Sequence, residues 1–152
     1  MSAPMNVSQQ NQWKKDAAEA AAKLVESGMI VGLGTGTTAG FLLSALALRM
    51  AEEGLRFVGI PTSERTAEQA RGLKIPLTTF AEHVEIDLTI DGADEVLPGP
   101  LFLIKGHGGA LLREKIVAAA SSLSRSTSRI PFPPPPATAF STTGNPLFRA
   151  AS

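Results

Sequence analysis

The period of apolar positions changes repeatedly along the first 120 residues. In residues 11–27, Trp13, Ala17, Ala20, Ala21 and Leu24 recur at helical spacing with Gly28 as a stop, which predicts an amphipathic helix. Met29 to Gly32 is short and apolar, as expected of a buried strand, and runs into Gly32-Leu33-Gly34-Thr35-Gly36-Thr37-Thr38 before an apolar helix that reaches about Glu53. Leu55 to Ile60 reads as a second strand stopped by Pro61, and Glu64 to Arg71 as a polar helix ended by Gly72. Ile75 to Thr79 gives a third strand. Ile86 to Asp91, alternating through Ile86, Leu88 and Ile90, gives a fourth, and Leu101 to Lys105 a fifth before a last helix over Gly109 to Ala120. Strands alternating with helices predict βαβ units: an α/β fold with a mainly parallel sheet flanked by helices.

Past residue 120 the pattern stops. Residues 121–152 contain 17 Ser, Thr or Pro among 32, three arginines and no acid, and their apolar residues follow neither helical nor strand period. Pro133 to Pro136 cannot donate to a helix or sheet, so a disordered Ser/Pro-rich tail is expected. That run also satisfies the PxxP pattern of a polyproline ligand, the less favoured reading. The chain thus divides into a flexible N-terminus at 1–10, a folded region at 11–120 and the tail at 121–152.

Composition narrows the chemistry. Fourteen basic and 14 acidic residues cancel, which favours neither nucleic acid nor an anionic membrane as partner. No apolar run is long enough to span a bilayer. Cysteine is absent and histidine occurs only as His83 and His107, so thiolate chemistry is excluded and a histidine-rich metal site is not expected. The N-terminus has neither a secretory nor an organelle signal, so a cytoplasmic protein is expected.

Three constellations carry candidate chemistry. A strand, closely spaced Gly and Thr, then a helix is how α/β folds hold a phosphate, through backbone N–H groups, threonine hydroxyls and the positive end of the helix. Thr35, Gly36, Thr37 and Thr38 are the candidate binding residues. A P-loop lacks its lysine here, and a dinucleotide fingerprint over Gly34, Gly36 and Ala39 lacks the acid after the second strand, where Gly59-Ile60-Pro61-Thr62 stands. A plain tight turn is the remaining alternative. Secondly, Asp91-Gly92-Ala93-Asp94-Glu95 follows the fourth strand, where ligands bind in open α/β sheets. Gly92 and Ala93 keep the turn small, so a substrate can approach Asp91 and Asp94. Helix capping by either aspartate explains the same pattern. Thirdly, Lys105 leaves the fifth strand, Gly106 and Gly108 make room for a ligand, His107 is a candidate added contact to substrate hydroxyls or phosphate, and Glu114 lies just inside the last helix as a candidate general base. Otherwise Glu114 and Lys115 are surface charges and His107 a loop residue without a role.

Together these stretches resemble the A-type ribose 5-phosphate isomerase family. Gly32 to Thr38, Asp87 to Glu95 and Lys105 to Lys115 match in order, and Gly59-Ile60-Pro61-Thr62-Ser63 matches a loop that closes over the site. The resemblance implies a Rossmann-like fold. It also implies interconversion of D-ribose 5-phosphate and D-ribulose 5-phosphate through an enediolate, without metal or organic cofactor, by a dimer. Thr35 to Thr38 would bind substrate, Asp91 and Asp94 would contact hydroxyls and help open the ring, Lys105 would stabilise the enediolate oxygen, and Glu114 would move hydrogen between C2 and C1. The family continues with a further strand, a second substrate-contacting lysine and a small α+β domain where this chain has its tail. A sheet incomplete on its C-terminal side and weak or absent turnover are therefore expected. A non-catalytic sugar-phosphate sensor of the same fold is the alternative, and a nicotinamide-dependent oxidoreductase is disfavoured by the missing ribose-binding acid.

Overall fold

A computed structural model of the chain describes residues 6–93, 95–97, 102–104, 110–121 and 124–128. Helix α1 spans Val7–Ala22, β1 Ile30–Leu33, α2 Thr37–Glu52, β2 Val58–Pro61, α3 Glu64–Gly72, β3 Leu88–Ala93, β4 Glu95–Leu97, β5 Phe102–Ile104, α4 Leu111–Ala119 and β6 Ser124–Ser128. The main sheet has four strands in the order β2-β1-β3-β6, all parallel. Val31 pairs with Gly59 on one side and Leu88 on the other, so β1 lies inside the sheet. This is the Rossmann-like α/β architecture.

Both faces of the sheet are covered, and side-chain alternation sorts what covers them. Val31, Leu33, Leu88 and Ile90 join the main core with Leu42, Leu43 and Leu46 of α2 and Ala18, Ala21 and Ala22 of α1. The buried α2 residues, Ala39 with these three leucines, fall at i, i+3, i+4 and i+7, one stripe of a helix. On the opposite face Val117 of α4 packs with Ile60 and Ile86. Thr89, between Leu88 and Ile90, turns to that face and its hydroxyl meets the Val117 carbonyl at 3.5 Å.

Several elements depart from the sequence expectation. Helix α1 begins at Val7, inside the stretch expected to be flexible, because the Asn6 side chain accepts the Ser8 N–H at 3.2 Å and caps the first turn. It ends well before Gly28, because Arg49 of α2 takes over the carbonyls of Ala22 at 2.6 Å and Val25 at 2.9 Å. Ile75 to Thr79 contributes only an isolated bridge, Gly59 to Leu77. Pro76 has no N–H to donate, and the chain turns back at Thr79, whose carbonyl accepts from Glu82 and His83. The fifth predicted strand belongs to a separate antiparallel pair, with Val96 opposite Leu103, and β4 was not expected at all. Between the two in sequence stand Pro98, Gly99 and Pro100, a composition that favours a turn.

The largest departure is β6. Ser124–Ser128 lies in the stretch expected to be irregular, yet it pairs in parallel with β3 from Thr89↔Ser124 to Ala93↔Ser128. A parallel edge offers main-chain N–H and C=O groups that any backbone of the right direction satisfies, and β6 forms without an apolar side chain to announce it. The Pro133 to Pro136 run lies outside the described residues. Among the described residues no helix is long and apolar enough to cross a membrane.

Candidate active site

The first constellation gathers at the carboxyl ends of β1 and β3. The ladder runs one residue past β1, Gly34 donating to the Ile90 carbonyl at 2.9 Å. Gly36 then takes φ 107°, a left-handed conformation that favours glycine, and serves as N-cap of α2. It brings no side chain to the first turn, so the opening amides of α2 and the hydroxyls of Thr37 and Thr38 stand at this edge with no acid among them.

Asp91 is bound to that loop. Its Oδ1 accepts the backbone N–H of Thr35 at 3.2 Å and that of Gly92 at 2.8 Å, and the residue is 8% exposed. Gly34 is required for this approach: a Cβ there would fall within the Asp91 carboxylate and against its Cα. Gly92 and Ala93, expected to form a turn, are strand residues of β3 and pair with β6. Asp91 therefore sits within a strand, two positions before its end, and the Thr38 side chain lies over Gly92.

A second layer of hydroxyls, not singled out by the sequence reading beyond the match of Gly59 to Ser63, supports the loop. Thr62 is fully buried, and both its N–H and its hydroxyl donate to the Leu33 carbonyl at 2.9 Å. Its Oγ1 also lies 2.7 Å from Thr35 Oγ1. Thr66 donates to the Gly34 carbonyl at 2.9 Å, and Ser63, the N-cap of α3, accepts the Thr66 N–H at 3.2 Å. Threonines after a proline read as an ordinary turn, and only the depth of their burial reveals the support.

Glu114 is 5% exposed, whereas Lys115 beside it is exposed, so the glutamate is not a surface charge. Helix α4 runs antiparallel to β3. Its end is tied to the strand's approach by the Ile86 N–H to the Ala120 carbonyl at 3.0 Å, and its first turn is tied to the start of α3 by Arg113 to Glu64 at 3.1 Å. Glu114 lies one turn before Val117 on the buried side of α4. Asp91 lies two residues after Thr89 on the sheet face that Val117 covers. The two acids thus share one face and one end of the sheet.

Asp94, Lys105, Gly106, His107 and Gly108 lie outside the described residues. Among the described residues no three His, Cys, Asp or Glu side chains cluster to hold a metal. What the described residues bring to one edge is a loop of amides and hydroxyls suited to an oxyanion, one carboxylate fixed by two backbone N–H groups, and a buried second carboxylate. That combination can bind a phosphorylated polyol and transfer a proton on it.

Comparison with known proteins points the same way. Residues 58–124 match the family model of ribose 5-phosphate isomerase A (phosphoriboisomerase A). Over 109 residues the chain is 64% identical to the ribose-5-phosphate isomerase A of Synechococcus sp. (strain JA-3-3Ab), covering 72% of this chain and 47% of the relative. The ribose 5-phosphate isomerase A structure from Methanocaldococcus jannaschii superposes with a TM-score of 0.74 at 43% identity, covering 77% of this chain and 52% of that one. A D-ribose-5-phosphate isomerase structure in complex with phospho-erythronic acid superposes with a TM-score of 0.73 at 37% identity, covering 80% and 52%. The chain spans about half the length of the curated relatives it matches.

Proposed function

Since this chain belongs to the ribose 5-phosphate isomerase A family, we propose that it interconverts D-ribose 5-phosphate and D-ribulose 5-phosphate. Thr35, Gly36, Thr37 and Thr38 form the substrate loop. Asp91, with Asp94, engages sugar hydroxyls and assists ring opening. Glu114 takes the proton from C2, leaving an enediolate across C1 and C2. Lys105 stabilises its developing oxygen charge. The conjugate acid of Glu114 then delivers the proton to C1 while the remaining hydroxyl proton moves from O2 to O1, giving the ketose. The sequence needs a base, an oxyanion stabiliser and an anion cradle, and no electron acceptor. Because a phosphate monoester is held inside membranes by its charge, an enzyme of this substrate class works in the cytoplasm.

The observation that carries the reading is the burial of Glu114 on the face that Asp91 occupies. Removing a carboxylate from water costs several kcal/mol, a cost a fold accepts where the group has work to do. The phospho-erythronic acid bound by a structural neighbour, a phosphorylated chain bearing hydroxyls and a carboxylate, adds support for the substrate class.

The test is proton transfer in D2O. The purified chain with ribose 5-phosphate should introduce deuterium at C1 of the ketose, followed by NMR, and Glu114→Gln should slow this by about 10²–10⁴-fold while ribose 5-phosphate still binds. Exchange at the unmodified rate in Glu114→Gln would remove Glu114 from its role. Binding without any exchange in the parent chain would favour a sugar-phosphate sensor.

A further inference from the structure

Thr35 meets its surroundings with hydrogen-bond donors that are already committed, and this fixes what its hydroxyl can recognise. Thr62 Oγ1 donates to the Leu33 carbonyl at 2.9 Å. A carbonyl only accepts and a threonine hydroxyl has one proton, so the Thr62 proton is spent there. The 2.7 Å contact between Thr35 Oγ1 and Thr62 Oγ1 must then use the proton of Thr35. The other donor of Thr35, its backbone N–H, goes to Asp91 Oδ1 at 3.2 Å. Both donors point into the protein. What the half-buried Thr35 retains for a ligand is the lone-pair side of its hydroxyl.

Phosphoryl oxygens at neutral pH are acceptors and would oppose those lone pairs, whereas a sugar hydroxyl donates to them. We infer that Thr35 is a specificity-determining residue that accepts a hydrogen bond from a sugar hydroxyl, and that buried Thr62 is the positioning residue that holds it in this polarity. The inference rests on the sugar-phosphate reading above and refines it. The anion falls to Thr37, Thr38 and the first amides of α2, where Gly36 supplies no capping side chain. Thr35 marks the boundary between the phosphate and the hydroxyl-bearing carbons. Its neighbour Asp91, also an acceptor, continues the hydroxyl-reading side.

The arrangement separates two ligands that differ only in the sugar: inorganic phosphate and D-ribose 5-phosphate, each titrated into the full chain by calorimetry. Thr35→Val should weaken ribose 5-phosphate about tenfold and leave inorganic phosphate within about twofold. Thr62→Val, which frees the Thr35 proton to turn outward, should show the same split with phosphate unchanged or tighter. Thr62→Ser, which keeps the inner hydroxyl, should restore the parent values. Equal loss of both ligands in Thr35→Val would make Thr35 an anion donor and overturn the inference while leaving the sugar-phosphate reading intact. Should Thr62→Val lose its fold by circular dichroism, Thr35→Val with Thr62→Ser decides. A parent chain that binds neither ligand would overturn the reading of the site and this inference with it.

Discussion

The Asp91 carboxylate and the Thr35 backbone N–H are joined at 3.2 Å across the carboxyl ends of β3 and β1. An acid expected to contact substrate is thus also a structural tie of the loop expected to hold the phosphate. Asp91→Ala removes the acceptor from two amides, those of Thr35 and Gly92. Urea denaturation should show a loss of about 1–3 kcal/mol, together with weaker binding of ribose 5-phosphate. Unchanged stability would mean that the tie contributes nothing.

Gly34→Ala tests the same junction from the other side. The added methyl meets the Asp91 side chain and its Cα, and backbone cannot step aside cheaply. The expected cost is about 1–3 kcal/mol in unfolding free energy, read from urea denaturation, with substrate binding impaired even though no recognising group has been removed.

Arg49 offers a prediction away from the site. It bonds the carbonyls of Ala22 and Val25 and also Glu53 on its own helix at 2.8 Å. Arg49→Met keeps the aliphatic stem but leaves two carbonyls at the end of α1 without their charged donor. Stability should fall by about 1.5–3 kcal/mol, and amide hydrogen exchange should rise first around residues 22–28. Uniform exchange across the chain would show that α1 is not anchored there.

The Arg113–Glu64 pair should behave differently, because both side chains are more than half exposed at 58% and 72%. A double-mutant cycle with Arg113→Ala and Glu64→Ala should return no more than about 1 kcal/mol of coupling, falling further in high salt. A larger value would mean that this contact is what fixes the first turn of α4.

Much of this layout was legible in the residues. The changing apolar period marked the alternation of strands and helices, and Gly34 to Thr38 between β1 and α2 marked the loop. Leu88 and Ile90 are buried on one face as their alternation predicts, but Ile86 packs on the other face with Val117, and Thr89 is buried there as well, because helices cover both faces. Period-two reasoning assigns such a position to solvent and cannot foresee the second cover. Thr62 and Thr66 escaped for a related reason. A hydroxyl that serves a turn and one that supports a neighbouring loop have the same sequence, and only long-range packing separates them. The antiparallel pairing of β4 with β5 has its sequence signal in Pro98-Gly99-Pro100, whose turn-favouring composition breaks the βα alternation.

β6 has a consequence for how this fold tolerates change. Its five residues are Ser, Arg or Thr, so what seats it against β3 is chain direction and main-chain bonding, with no hydrophobic anchor. A strand held on those terms is nearly indifferent to its own spelling. Drift, substitution or exchange of residues 124–128 for another polar segment can proceed at the sheet margin while Asp91, paired through its main chain with position 126 whatever side chain stands there, keeps its neighbours.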